Sequence, residues 1–241
     1  MRPRPRPGAL NGPSVRSAEQ VARTIDHALL KPELTTEEVL AGCALAAELH
    51  VASVCCRPID VAACVEALAG SDVDVGTVIG FPHGDHLTAT KVGEALAAID
   101  QGAVELDVVI AVGMLRSGEH IYVRDDVAAV IDAALGRALV KVILENSLLT
   151  DDEKVMACRL SEEAGADFVK TSTGFASGGA TLDDVRLMRA SVSQAVQVKA
   201  SGGIRTLDEL VAFLDAGATR IGTGSTAAIV EQARQRSASA G

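Results

Sequence analysis

The segment VQVKASGGIRTLDELVAFLDAGATRIG, residues 196–222, reads as one complete repeat of strand, helix and strand. Its two ends, Val196–Ala200 and Arg220–Gly222, are short runs of the kind that forms buried parallel strands. Between them, Thr206 supplies a hydroxyl N-cap ahead of two acidic residues, and Gly217 supplies a stop. The segment therefore predicts two parallel β-strands joined by an α-helix.

The same unit recurs along the chain. Eight runs predict strands: Thr24–His27, Val51–Cys56, Val73–Ile79, Val104–Ile110, Leu139–Leu144, Phe168–Thr171, Val196–Ala200 and Arg220–Gly222. Helices with acidic first turns follow several of them, opened by Thr35 or Thr36, Thr150, Thr181 and Thr206. This alternation predicts an α/β fold, a single (β/α)₈ TIM barrel. A doubly wound open sheet is the alternative, but its Gly-rich dinucleotide fingerprint is missing after the first strand.

The barrel is predicted to form one domain, residues 17–241, after a basic tail rich in Pro and Arg, residues 1–16. The composition of this tail predicts disorder. No apolar segment of a secretory signal follows it, and no stretch approaches the ~18 consecutive apolar residues of a membrane span. We therefore expect a cytoplasmic protein without a membrane partner.

Composition narrows the function classes. Apolar residues make up 48% of the chain, which is enough for one large core, and aromatics only 2%, so Ala, Val, Leu and Ile must build it. The net charge of −10 argues against a nucleic-acid partner, because a phosphate backbone needs a basic face. Five cysteines without a C-x-x-C pair predict reduced, buried thiols rather than a disulfide framework or a structural zinc site.

Strand alternation predicts an unusually charged barrel interior. Six charged side chains are predicted to point inward: Glu105, Asp107, Lys141, Glu145, Lys170 and Lys199. Barrel interiors are usually filled by branched apolar residues, and an unpaired buried charge costs several kcal/mol. For Glu105, Lys141 and Glu145, we favour a structural ion network near the barrel centre. Residues at the carboxyl ends of strands are favoured as functional instead, because active sites of this fold lie there.

Lys170 and Lys199 each stand at or near the end of a strand, about one repeat apart. They are therefore predicted on neighbouring strands, about 4.8 Å apart. Two ammonium groups this close repel each other, so one of them loses its proton more easily. A neutral lysine attacks carbonyls and forms imines, and Asp107 on the fourth strand could then act as general acid and base.

Two Gly-rich turns follow the seventh and eighth strands, and each precedes a helix. The first contains Gly202 and Gly203, and the second contains Gly224 and Ser225. In this fold, the loops after these two strands commonly hold a phosphate with backbone amides and a helix N-terminus. The sequence therefore predicts a phosphate-binding site formed by these four residues.

These residues carry a resemblance to a known family. The segments IDHALLKP, ELDVVI, KVILE, DFVKTSTGF, VKASGGIR and RIGTGS resemble those of deoxyribose-phosphate aldolases. The resemblance runs from about Ile25 to Ser225, in consistent order and spacing. It implies a class I aldolase, without metal or cofactor, that reversibly cleaves 2-deoxy-D-ribose 5-phosphate to acetaldehyde and D-glyceraldehyde 3-phosphate.

The resemblance also implies roles for individual residues. Lys170 would form the Schiff base, Lys199 would perturb it, and Asp107 would relay protons. Gly202, Gly203, Gly224 and Ser225 would approach the phosphate. The supporting residues would be Asp26, Thr173 and Lys141. The partners implied are a small phosphorylated sugar and aldehydes.

Three positions depart from the family pattern. Ala28 stands where members often have Thr, Ala111 where an Asn often follows ELDVVI, and Phe175 where some members have Lys. The chain ends SASAG, without the terminal tyrosine of some members. These departures bear on rate and substrate range more than on the type of reaction.

Other interpretations are open at this point. The segment His83–His86 suggests a metal site, but it has no third ligand nearby, so a polar loop is favoured. In Cys55–Cys56, one thiol is predicted to face inward, most simply as a packed core residue. A phosphosugar isomerase or epimerase would share the phosphate loops without needing adjacent lysines, and a non-catalytic phosphate binder would not need the charges. A homodimer or other homo-oligomer is expected, because symmetric dimers are the commonest assembly.

Overall fold

A computed structural model describes residues 17–239 of the chain. Eight parallel strands close into a barrel in the order in which they occur in sequence. They are β1 (Ile25–Leu29), β2 (Ser53–Cys56), β3 (Asp74–Ile79), β4 (Glu105–Val109), β5 (Leu139–Ile143), β6 (Phe168–Lys170), β7 (Gln197–Ser201) and β8 (Arg220–Thr223). β1 pairs with both β2 and β8, which closes the sheet. The predicted single (β/α)₈ barrel is confirmed.

Helices connect the strands and surround the barrel. Within the described residues they are α1 (Ala18–Ala22), α2 (Thr36–Leu49), α3 (Val61–Ala67), α4 (Thr88–Asp100), α5 (Val112–Arg116), α6 (His120–Ala134), α7 (Asp151–Glu163), α8 (Leu182–Ser191), α9 (Leu207–Asp215) and α10 (Thr226–Ser239). Two 3₁₀ turns, Pro58–Asp60 and Asn146–Leu148, follow β2 and β5. No helix of this described part is long and apolar enough to cross a membrane.

The predicted helix starts are confirmed by the side chains that cap them. Thr35, Thr150, Thr181 and Thr206 each accept a hydrogen bond from the backbone amide three residues later. At the first, second and fourth of these caps, a glutamate three residues on returns a bond to the cap amide. Each such cap satisfies amides that would otherwise be unpaired and is worth about 1 kcal/mol. Local sequence therefore decides where these helices begin.

Strand bounds differ from the prediction by one or two residues, for local reasons. Thr24 belongs to the turn after α1, because its amide and its hydroxyl both donate to the carbonyl of Val21. The amide of Val51 donates to Ala46 at the end of α2, so β2 begins only at Ser53. In both cases the backbone amide bonds to the end of the preceding helix and is not available to pair with a neighbouring strand.

The hydrophobic core lies between the barrel and its helices. The outward faces of the strands bury aliphatic side chains completely, as at Val54, Leu106, Val142, Val198 and Ile221. These side chains pack against helix residues of the same kind, which removes apolar surface from water on both layers. Because the apolar core lies between the barrel and the helices, polar side chains can occupy the inside of the barrel.

The predicted disordered tail, residues 1–16, lies outside the described residues, as do residues 240 and 241. The division into a tail and a barrel domain of residues 17–241 therefore stays a prediction.

Candidate active site

Seven charged side chains meet inside the barrel, and we call them the central ion cluster: Asp26, Glu105, Asp107, Lys141, Lys170, Lys199 and Arg220. They come from β1, β4, β5, β6, β7 and β8, each from a position that alternates with an outward aliphatic residue. All are buried except Arg220, which is partly exposed. Burial of so many charges is tolerated only because each has an opposite partner.

The part of the central ion cluster around Lys141 and Arg220 is closely paired. Lys141 Nζ donates to Glu105 Oε2 at 2.7 Å and to Asp107 Oδ1 at 2.8 Å. Arg220 donates to Glu105 Oε1 at 3.1 Å and also to Asp26. The Arg220 guanidinium lies 5.7 Å from the centroid of the Phe168 ring, within reach of a cation–π interaction. This part matches the predicted structural network for Glu105 and Lys141.

The remaining part of the central ion cluster brings together the three predicted catalytic residues, Asp107, Lys170 and Lys199. Lys170 Nζ and Lys199 Nζ both donate to Asp107 Oδ2, each at 2.7 Å. Lys170 and Lys199 are register partners on β6 and β7, so the predicted placement on neighbouring strands is confirmed. Lys199 also forms an ion pair with Asp26. The predicted supporting residues Asp26 and Lys141 therefore belong to the same cluster.

The three lysines differ in how many carboxylates they contact. Among the described residues, Lys141 has three carboxylates within 4 Å, Lys199 has two, and Lys170 has only Asp107. The fully ionised cluster contains four cations and three carboxylates, so it carries one excess positive charge. The cluster is neutral when Lys170, the least compensated cation, loses its proton.

The direction of each lysine pKa follows this arrangement. Burial lowers the pKa of Lys170 below 10.5, Asp107 partly offsets it, and the charge of Lys199 lowers it further. Burial also opposes the charge on Lys199 and Lys141, but their carboxylate partners outweigh it and raise both pKa values. Repulsion between the two lysines, which the sequence predicts as the cause, contributes to the lowered pKa of Lys170, but burial is the larger cause.

The carboxylates of the cluster are held ionised. Burial alone would raise the pKa of Asp107, but Lys141, Lys170 and Lys199 outweigh burial and keep it well below its usual value. Arg220 and the two nearest lysines do the same for Asp26. Asp107 is therefore a carboxylate in direct hydrogen-bond contact with Lys170, so it can take a proton from that lysine transiently as the lysine reacts.

One predicted member of the interior network lies elsewhere. Glu145 follows the end of β5 with a left-handed backbone, φ 57° and ψ 61°, and does not contact the central ion cluster. Its Oε2 instead accepts hydrogen bonds from the hydroxyl and the amide of Thr173. The prediction for Glu145 is wrong because the strand ends at Ile143, so the alternation that it relied on stops there.

Two cluster contacts were missed from the sequence. Arg220 begins the short strand β8, and alternation along that strand places it on the same inward face as Gly222, a signal that could have found it. Ser53 on β2 donates to Asp26 Oδ1 at 2.8 Å. Gly222 is needed for space, because a Cβ there would lie 3.2 Å from Cε of Lys199 and 2.9 Å from Cβ of Ser201. The sequence around Ser53 does not distinguish it from other strand serines, so its contact with Asp26 could not be predicted.

The four predicted phosphate-binding residues lie in two loops that the structure ties together at the mouth of the barrel. Gly202 and Gly203 both have positive φ, 94° and 83°, and turn the chain after β7. Thr223 Oγ1 donates to the carbonyl of Ile204 at 2.7 Å and accepts from the amide of Ser225 at 2.9 Å. Gly224 lies between these two residues. Helix α10 begins directly after Ser225 with no acidic residue in its first turn, so its positive end is not neutralised by its own side chains.

The remaining predicted features lie around the cluster. Cys55 faces inward, and burial with the nearby Asp107 raises the pKa of its thiol to about 11. Ala28 and Ala111 lie at or just beyond the ends of β1 and β4, and both lack a hydrogen-bonding side chain. His83 and His86 are exposed, and no group of three or more potential metal ligands occurs among residues 17–239.

The fold and this cluster place the chain in the class of (β/α)₈-barrel enzymes with ionisable groups at the carboxyl ends of the strands. Comparison with known proteins gives the family. Residues 15–228 match the family described as DeoC/LacD family aldolase. The chain belongs to this family and is a carbon–carbon lyase of the aldolase type.

Individual relatives agree with the family match. The chain is 52% identical over 210 residues to the deoxyribose-phosphate aldolase of Bacillus mycoides strain KBAB4, covering 87% of this chain and 94% of that protein. It is also 52% identical over 214 residues to that of Enterococcus faecalis, covering 89% and 97%. The tetrameric deoxyribose phosphate aldolase of Aeropyrum pernix superposes with a TM-score of 0.83 at 34% identity, covering 89% of this chain and 91% of that one.

Proposed function

We propose that the chain is a class I aldolase that reversibly cleaves 2-deoxy-D-ribose 5-phosphate to acetaldehyde and D-glyceraldehyde 3-phosphate through an imine on Lys170. The main observation behind this proposal is that Lys170 lies at the end of β6, has a lowered pKa and donates a hydrogen bond to Asp107. A buried lysine that loses its proton readily is the nucleophile that imine formation requires. The names of the relatives support the choice of substrate.

In the direction of cleavage, neutral Lys170 Nζ adds to the C1 carbonyl of the open-chain sugar, and loss of water forms the imine. The protonated imine draws electrons from the C2–C3 bond, which breaks as the C3 hydroxyl loses its proton. Glyceraldehyde 3-phosphate leaves, and the enamine that remains takes a proton at C2. Hydrolysis of the imine then releases acetaldehyde and restores the lysine.

Asp107 and Lys199 manage the protons of these steps. Asp107 is ionised and contacts both lysines through one oxygen, so it is placed to accept a proton and to return it. Lys199 is held as an ammonium by Asp107 and Asp26, and it keeps the pKa of Lys170 low. Lys141 supports the site by donating to Asp107, and Asp26 supports it by pairing with the ammonium group of Lys199.

The phosphate of the sugar is assigned to Gly202, Gly203, Gly224 and Ser225. These residues offer backbone amides at the carboxyl ends of β7 and β8, next to the start of α10. An anion is stabilised at such a place by the amides and by the helix dipole. Thr173 supports the neighbouring part of the mouth, where its amide donates to Glu145 in the loop directly after the Lys170 strand.

The proposal is tested by cleavage of 2-deoxyribose 5-phosphate in EDTA with a coupled assay for triose phosphate. Wild type, Lys170→Ala and Lys154→Ala are compared, with thermal melting of all three. Lys154 is a matched control because it lies on the outer helix α7, where it pairs with Asp184. We expect triose phosphate from wild type and Lys154→Ala, and none from Lys170→Ala.

A second measurement separates mechanism from substrate. Borohydride reduction in the presence of acetaldehyde should attach a two-carbon adduct to Lys170, detected by peptide mass. An adduct without cleavage of the sugar phosphate would keep the imine and reject the substrate. The absence of both would reject the proposal in favour of an isomerase, an epimerase or a phosphate binder.

We further propose that the protein is cytoplasmic and assembles as a homodimer or another homo-oligomer. All five cysteines are free and buried, as expected in a reducing compartment. Leu40, Leu96 and Leu135 are large apolar residues exposed on outer helices or at their ends, where a second copy could cover them. The tetrameric relative supports association, and light scattering on the purified full chain would give the number of subunits.

A further inference from the structure

The reactive lysine is almost hidden in this conformation. The Lys170 side chain is only 3% exposed, although it must meet a carbonyl carbon to form an imine. An aldehyde can reach it only from the mouth of the barrel, where the carboxyl ends of the strands open to solvent. The residues that border this mouth therefore decide which aldehydes reach Lys170.

Two phenylalanines meet at this mouth. Phe81 follows β3 and Phe175 follows β6, and their ring centroids lie 5.2 Å apart with planes at 83°. This is a favourable edge-to-face arrangement. β3 and β6 are separated by β4 and β5 in the barrel, so the contact bridges loops that are not neighbours. Phe81 and Phe175 together, here called the aromatic bar, join separate parts of the rim.

The Phe175 side of the aromatic bar is held by hydrogen bonds that lead back to the barrel. The Phe175 amide donates to Thr173 Oγ1 at 3.0 Å, and the Thr173 hydroxyl donates to Glu145 Oε2. Glu145 is itself buried at the end of β5 in a left-handed conformation. A non-glycine residue keeps a left-handed backbone only where its surroundings hold it in that conformation.

The Phe81 side is fixed by its own loop. The Gly80 amide donates to Glu94 Oε2 of α4 at 2.7 Å, and the Gly84 amide donates back to Gly80 at 2.8 Å. These bonds close a tight turn around Phe81. Both rings are therefore presented from anchored loops rather than from free ends.

We propose that the aromatic bar is a specificity-determining element that limits the bulk of the acceptor aldehyde at Lys170. The proposal rests on the imine chemistry assigned to Lys170 under the proposed function. The rings offer apolar surface and no hydrogen-bonding group, so they discriminate by shape. A narrow acceptor such as glyceraldehyde 3-phosphate passes, whereas a branched or aromatic aldehyde meets the bar.

The test is aldol addition of acetaldehyde, the constant donor, to two acceptors: glyceraldehyde 3-phosphate and phenylacetaldehyde. Wild type is compared with Phe81→Ala, Phe175→Ala and Leu87→Ala. Leu87 is a matched control because it is a large apolar residue in the Phe81 loop, 73% exposed and outside the bar. The quantity measured is kcat/KM for phenylacetaldehyde divided by kcat/KM for the phosphorylated acceptor.

We expect this ratio to rise by about tenfold or more in either Phe variant, mainly through a lower KM for phenylacetaldehyde. Leu87→Ala should stay within about twofold of wild type, since it leaves the bar intact. The double variant Phe81→Ala, Phe175→Ala should gain little over either single one, because each single change already removes the shared contact.

An unchanged ratio in Phe175→Ala, together with a normal borohydride adduct of acetaldehyde on Lys170, would overturn the aromatic bar and leave the proposed function standing. Loss of the adduct in wild type would instead reject the imine chemistry itself. If Phe175→Ala does not fold, as judged by circular dichroism, Phe175→Leu is used. Its side chain is smaller than that of Phe and has no ring, so it opens the bar while keeping an apolar residue, and a rise in the ratio or its absence decides.

Discussion

Within residues 17–239, lysines are buried with carboxylates at two places, and the two places are built differently. Between α4 and α6, Lys91 Nζ donates to Asp126 Oδ2 at 2.6 Å and to the carbonyl of Val109 at 3.0 Å. Thr88 Oγ1 donates to the other oxygen of Asp126 at 2.7 Å. Here one cation meets one carboxylate, both side chains are fully buried, and both carboxylate oxygens are bonded.

The central ion cluster has the opposite arrangement. Four cations share three carboxylates, and Lys170 and Lys199 compete for one oxygen of Asp107. Lys91 is buried at least as deeply as Lys170, so burial alone does not distinguish a structural lysine from a reactive one. Charge balance distinguishes them. A matched ion pair stabilises the fold, while the excess cation in an unbalanced group can release a proton for chemistry.

The sharpest test of this comparison removes each lysine in turn. Lys170→Met should lower kcat/KM for the sugar phosphate by at least about 10⁴-fold, because the nucleophile is lost. It should leave the free energy of unfolding close to that of wild type, because it removes the excess cation. Activity and urea denaturation are measured on the same preparation. A large loss of stability would show that Lys170 is a structural partner like Lys91.

The reverse outcome is expected at the helix pair. Lys91→Met leaves Asp126 buried without its cation and should lower the free energy of unfolding by about 3–5 kcal/mol. The folded fraction should keep its kcat. The double variant Lys91→Met, Asp126→Leu should recover most of the stability, because an apolar pair of similar volume needs no desolvation of charge. Failure of this recovery would mean that the pair contributes more than mutual neutralisation.

His27 extends the comparison to a buried titratable group that has no ion partner among residues 17–239. It is buried, its Nδ1 lies 2.7 Å from Thr226 Oγ1 at the start of α10, and burial lowers its pKa to about 4. The unfolded chain binds a proton below about pH 6.5, but the native protein does so only near pH 4. Stability is therefore highest above pH 6.5 and declines as the pH falls through this window, by about 3 kcal/mol in all.

The check is denaturant unfolding between pH 4 and 7.5 for wild type and His27→Gln. The variant keeps a polar side chain but cannot titrate, so its free energy of unfolding should lose this part of the pH dependence. Parallel curves for the two proteins would show that His27 does not cause it.

The smallest effect is expected in the pH profile of the reaction. Neutral Lys170 is the reactive form, so kcat/KM should rise with pH as its ammonium loses a proton. Lys199→Met removes a charge that lowers the pKa of Lys170 and also leaves Asp107 more available to it. The rising limb should therefore move to higher pH, in addition to a fall in the maximum. A limb that stays in place would mean that burial alone sets the pKa of Lys170.

The prediction from sequence was most accurate where a local rule or a period decides the outcome. Caps at Thr35, Thr150 and Thr206 depend on residues three positions apart, and the structure has each of them. Strand alternation predicted that Lys170 and Lys199 lie side by side, because parallel strands one repeat apart become neighbours in a barrel. The same rule failed for Glu145, which lies just past the end of its strand.

Sequence patterns were enough to predict the fold, four helix starts and five of the seven charged residues of the central ion cluster, since these follow from short-range periodicity and capping. Which charges pair depends on the tertiary structure. It placed Arg220 of β8 against Glu105 of β4 and left Lys170 with a single carboxylate. It also brought Phe81 and Phe175 together across the mouth. Ion pairs and ring contacts depend on distances between residues far apart in the chain, and no local pattern specifies those distances.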